Sequence, residues 1–78
     1  MKYTLQLVNN YLSHNRLLDK VFYIGGDTQI CRVEMSLGVD LFALIKTIEK
    51  YRKVHTTLKI CKITKRSIIT FSNRKEVA

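Results

Sequence analysis

Two stretches that each read as strand, turn, strand, with one helical segment between them, constrain this chain more than any other feature. The first is VFYIGGDTQICRVEM, residues 21–35. Its flanks are rich in Val, Ile, Phe and Tyr, and Gly25-Gly26-Asp27 between them accept the positive φ of a tight hairpin turn. The second joins TLKICKI to SIITFS through Thr64-Lys65-Arg66. From Asp40 to about His55 the apolar period becomes that of a helix. Leu41, Leu44, Ile45 and Ile48 share one arc, with Tyr51 at its edge, and Lys46, Lys50 and Lys53 form a basic ridge opposite. Asp40 is the expected N-cap, Gly38 loosens the approach, and Glu49 with Lys53 makes a favourable i to i+4 pair.

The N-terminal segment reads two ways. KYTLQLV, residues 2–8, alternates Tyr3, Leu5 and Leu7 against Thr4 and Gln6, which favours a strand closed by a turn at Asn9-Asn10. YLSHNRLLDK then forms a short helix or a loop, and a single helix from Thr4 to Leu18 is the competing assignment.

Strand, short helix or loop, strand, strand, helix, strand, strand describes an α+β domain. The expectation is an antiparallel sheet of about four to five strands with one main helix, about 40–55, on one face. A split βαβ, ferredoxin-like path with an added strand fits the same order. Residues 1–78 make one domain, without proline, linker or repeat, and SNRKEVA, residues 72–78, reads as a frayed tail. A chain this short has a thin core and an expected stability of about 3–5 kcal/mol.

The formal net charge is +8, and all of that excess lies in the second part of the chain. Residues 1–45 balance Lys2, Arg16, Lys20 and Arg32 against Asp19, Asp27, Glu34 and Asp40. Residues 46–78 carry ten Lys and Arg against Glu49 and Glu76. A field gathered in this way attracts nucleic acid, an acidic protein surface or anionic lipid. The lipid reading competes poorly, because the apolar arc of the helix is needed to cover the sheet. The start of the chain lacks the pattern of a secretory signal, and no apolar run spans a bilayer, so the expected location is cytoplasmic.

Chemistry is sparse. The six carboxylates are scattered, no serine sits in a nucleophile elbow, and neither cysteine neighbours a histidine, so no catalytic residue and no cofactor is assigned. Cys31 and Cys61 read as two buried thiols, and with His14 and His55 they lack the spacing of a metal site. His55, beside Tyr51, Arg52 and Lys53, supports only a minor alternative, a small metal-free ribonuclease of toxin type. Against it stands a histidine that ends the helix and meets its C-terminal dipole.

The leading expectation is a small basic nucleic-acid-binding accessory or regulatory protein, weakly selective for sequence, because the helix offers no Asn or Gln to read base edges. Strand alternation splits the hairpin cations, sending Lys59 and Lys65 to one face with Cys61, and Lys62 and Arg66 to the other. The candidate contacts are the helix ridge Lys46, Lys50 and Lys53, joined by Arg52 and by the turn residues Lys65 and Arg66. The alternative is a protein-binding inhibitor or adaptor from a mobile element such as a phage or plasmid, docking an acidic partner, with Phe42 and Val54 as contact points. A homodimer through an edge strand is a further option.

Overall fold

The computed structural model describes residues 2–73. It runs α1 (Lys2–His14), a 3-10 turn (Leu18–Lys20), β1 (Val21–Gly26), β2 (Ile30–Ser36), α2 (Leu41–Tyr51), β3 (His55–Cys61) and β4 (Arg66–Ser72). The four strands form one antiparallel sheet in the order β1-β2-β4-β3, an α+β fold with the helices on one face.

The expected strand over residues 2–8 is a helix. Alternation of Tyr3, Leu5 and Leu7 competes there with a second spacing, Thr4, Val8 and Leu12, four residues apart and all buried. The second pattern runs through Asn9-Asn10, which sit on the exposed side of α1 rather than in a turn. Burial of one continuous stripe outweighs a short polar interruption. At its end the Leu17 amide donates to the Leu12 carbonyl at 2.8 Å and the Arg16 amide to the Ser13 carbonyl at 3.2 Å. Arg16 takes φ 56°, the left-handed residue of a Schellman cap, and Leu17 packs back on the core.

The first hairpin forms at the expected place by different chemistry. Neither Gly25 nor Gly26 has positive φ, and both belong to β1. The reversal is made by Asp27. Its carboxylate accepts from the Gln29 and Ile30 amides at 2.7 and 3.0 Å, and its own amide donates to the Ile30 carbonyl at 2.9 Å. Gly26 is needed for proximity, since a Cβ there would stand 2.0 Å from the Ile30 carbonyl oxygen and 2.9 Å from Cys31 Cα. The left-handed glycine is Gly38, φ 96°, between β2 and α2.

Asp40 caps α2 as its sequence suggests, its side chain accepting from the Ala43 amide at 3.1 Å. The helix stops at Tyr51 rather than near His55. Arg52 is already extended, Val54 packs against the core, and His55 opens β3. Thr56 and Thr57 are β-branched residues that favour the strand. Lys53 therefore lies outside the helix, and Glu49 accepts from the Thr56 hydroxyl at 3.1 Å in place of the expected pair with Lys53.

β2 and β3 are parallel, joined through α2, with β4 inserted between them and antiparallel to both. This is one split βαβ unit, not the interleaved pair of a ferredoxin-like path. The N-terminal element is a helix, and β1 simply extends the sheet as a hairpin with β2. Cys31, Val33 and Met35 of β2 and Ile69 and Phe71 of β4 meet Leu41, Leu44 and Ile48 of α2 and Val8 and Leu12 of α1 in one core. Burying a side chain such as Phe71 contributes about 1.5–3 kcal/mol.

Two further expectations change. Cys31 is buried, but Cys61 is exposed at the end of an edge strand. Ser72 belongs to β4 and is buried, and Asn73 donates from its amide to the Gln29 carbonyl and from its side chain to the Thr28 carbonyl, so neither is part of a frayed tail. The rest of that expected tail, 74–78, lies outside the described residues.

Candidate functional site

Because both helices occupy one face of the sheet, no described element covers the other. Strand alternation decides what that open face carries. Opposite buried Cys31, Val33 and Met35, β2 presents Arg32 and Glu34; opposite Ser67, Ile69 and Phe71, β4 presents Arg66, Ile68 and Thr70. Register extends these rows to β3, where Thr57 stands beside Thr70, Lys59 beside Ile68 and Cys61 beside Arg66.

On β1 the register slips between Val21, opposite Met35, and Tyr23, opposite Glu34. Phe22 is the extra residue of this bulge, and a bulge re-aims side chains. Phe22 and Tyr23 are 53% and 48% exposed. The Arg66 guanidinium lies 4.1 Å from the Phe22 ring centroid, which brings Phe22 to the open face across two intervening pairings. The Arg32 guanidinium lies 5.9 Å from the Tyr23 ring, and the Tyr23 phenol extends along the strand over Gly25.

The expected contact residues do not form one patch. Lys46 and Lys50 are exposed on α2, on the side turned away from the buried Leu41, Leu44 and Ile48. Arg52 caps the helix with its guanidinium 5.7 Å from the Tyr3 ring of α1, and Lys53 lies in the link to β3. Lys65 sits in the β3–β4 turn at φ 56°. Arg66 reaches the open face with Lys59 and Cys61, not the face shared by Leu58 and Ile60, because the turn breaks the alternation from which its side was inferred. What unites these residues is edge strand β3. Lys50, Arg52 and Lys53 precede it, Lys59 lies on it, and Lys62, Lys65 and Arg66 follow it.

The described acids form no ion pair with them. Among the described residues the one ion pair is Arg32 with Glu34, at 3.3 Å. Asp27 is spent on its turn, Asp40 on the α2 cap and Glu49 on Thr56. Hydrogen bonds from the Gln29 and Ile30 amides hold the Asp27 carboxyl below its ordinary value. Burial pushes the Cys31 thiol up to about 11. Hydrogen bonds from the Thr64 hydroxyl and from the Thr64 and Ile63 backbone lower the Cys61 thiol instead.

Phe22, Tyr23, Arg32 and Lys59, which the structure brings to or beside the open face, are not among the contact residues that the sequence suggests. Alternation in ICRVEM already separates Arg32 and Glu34 from the core, but the continuous apolar run VFYI hides the bulge. Of the residues considered for protein contact, Phe42 is 68% exposed, while Val54 packs on the core. His55 is the first residue of β3, opposite Ser72, not the last of a helix, and His14 ends α1. A cleft between the start of α1 and the first hairpin, lined by Lys2, Leu5, Asp27, Ile30 and Cys31 among others, brings together no catalytic pair. Among the described residues no group of His, Cys, Asp and Glu is arranged to hold a metal, and no helix is long and apolar enough to cross a membrane. Comparison with protein-family models, curated proteins and solved structures gave no match.

Proposed function

We propose that the protein binds nucleic acid through phosphate contacts made by the cations that frame β3, with little preference for sequence. One observation supports this reading above the rest. The exposed cations from Lys46 to Arg66 have no carboxylate partner among the described residues, which include five of the chain's six acids. Phosphates satisfy such cations and release condensed counterions on binding. No Asn or Gln stands among them to read a base edge, so affinity without strong selectivity is the expected mode.

The test replaces the turn lysines. Lys62→Ala with Lys65→Ala removes two exposed cations and no core contact. Binding should weaken by a similar factor for oligonucleotides of unrelated sequence, and the dependence of log affinity on log salt should flatten by about 2. An unchanged affinity and slope would contradict the reading, as would a loss confined to one sequence. A protein partner is the second reading, favoured by Phe42 standing exposed one turn from Lys46. It predicts that Phe42→Ala abolishes capture of an acidic partner whose retention is insensitive to nuclease.

A further inference from the structure

Resting on that reading, we infer that the ligand is single-stranded and that its unpaired bases stack on the open sheet face at Phe22 and Tyr23. Phosphate contacts alone do not distinguish a duplex from a single strand. The open face adds features that do.

The first is a pair of aromatic planes left half-exposed on the one face that no described element covers. In a small chain whose core already holds Phe71, two adjacent rings in water represent apolar area left unburied. The second is the way they are held. Arg66 lies over Phe22 at 4.1 Å and Arg32 approaches Tyr23 at 5.9 Å, so each ring has beside it a guanidinium, itself a flat surface on which bases stack. The third is the charge of the surrounding rows. Among the described residues Lys59 and Arg66 have no carboxylate partner there, Lys62 and Lys65 stand at the rim, and the acid of these rows, Glu34, is already paired with Arg32.

Aromatic platforms alternating with cations suit a strand whose bases turn inward and whose phosphates follow the rim. A paired duplex hides its base faces in its own stack and gains nothing from the rings. Stacking is indifferent to the sugar, so DNA and RNA single strands both qualify. Small residues keep the floor low: Gly25 leaves room for the Tyr23 ring, and Thr57 and Thr70 continue its row beyond Arg32.

The test compares wild type with Phe22→Leu/Tyr23→Leu, which retains apolar bulk on β1 and touches no core residue. Circular dichroism confirms that the variant is folded. Probes of about 16 nucleotides are used as single-stranded DNA, single-stranded RNA and duplex DNA. The expected result is a loss of about 5- to 100-fold for at least one single strand, with the duplex changed by less than about twofold and the salt slope retained. Arg66→Lys keeps the charge and removes the plane, and should lose part of the same factor. If the double variant binds single strands as wild type does, or if single strand and duplex lose affinity equally, the inference is overturned and phosphate binding stands. If wild type binds no probe even at low salt, the reading beneath it fails as well.

Discussion

Replacing Gly26 by alanine should damage the protein far more than the same change one residue earlier. At Gly26 a Cβ would stand 2.0 Å from the Ile30 carbonyl oxygen, which also accepts the Asp27 amide at 2.9 Å. Both neighbours are backbone, so relief requires β1 and β2 to separate where Gly26 pairs with Cys31. Loss of one net hydrogen bond costs about 0.5–1.5 kcal/mol and overpacking about 1–3 kcal/mol, together about 1.5–4.5 kcal/mol. Against an expected stability of about 3–5 kcal/mol, that removes most of the folded population's margin. At Gly25 the added Cβ meets the Tyr23 hydroxyl at 2.7 Å, the free end of a side chain that can swing aside, so the cost should stay below about 0.5 kcal/mol. Urea unfolding followed by circular dichroism, with the m-value checked for constancy, measures both. A Gly26→Ala midpoint within error of wild type, or equal losses at the two positions, would refute the argument from close approach. Equal losses would point back to a pair of turn glycines.

Three other outcomes follow from particular residues. Arg16 holds a left-handed conformation that glycine adopts without steric cost, so Arg16→Gly should raise stability by about 0.5–1 kcal/mol in the same unfolding experiment. Iodoacetamide at neutral pH should label Cys61 in the native protein and reach Cys31 only after denaturation, read as one and then two adducts by mass spectrometry; early labelling of Cys31 would contradict its burial. Asp27 has a folded pKa below its ordinary 3.8, so its contribution to stability is complete above that value and disappears as pH falls through the lowered one. Asp27→Asn should therefore flatten the acid limb of the stability profile, and an unchanged limb would show that the turn carboxylate does not matter.

Much of the fold is legible because its three strongest signals are local. The β-branched runs around each turn and the Leu41, Leu44, Ile48 arc with its Asp40 cap are readable within a few residues, and all three reappear as strands or helix. The segment at residues 2–8 was not legible in the same way. Seven residues suit a period of two, and only the longer window to Leu12 reveals the helical stripe. The helix end was overrun because Arg52, Lys53 and Val54 carry no glycine or proline stop, while the strand that claims His55 is set by pairing with Ser72 seventeen residues away.

The candidate site is legible in composition and not in placement. The charge excess named Lys46, Lys50, Arg52, Lys53, Lys65 and Arg66, but α2 lies on the covered face of the sheet and Arg66 on the open one. Phe22 escaped notice because a bulge, which depends on the partner strand, decides its direction. Alternation carried across the turn sends Arg66 to the wrong side, because Lys65 in that turn is left-handed. Both errors arise where a contact between distant residues overrides a local period.

If the cations around β3 meet phosphates, affinity for a mixed-sequence oligonucleotide should fall steeply as salt rises from about 50 to 200 mM. About five contacts predict a log–log slope near −3.5 on a single strand and about −4.5 on a duplex. A slope near zero, or no binding at the lowest salt, would contradict the account.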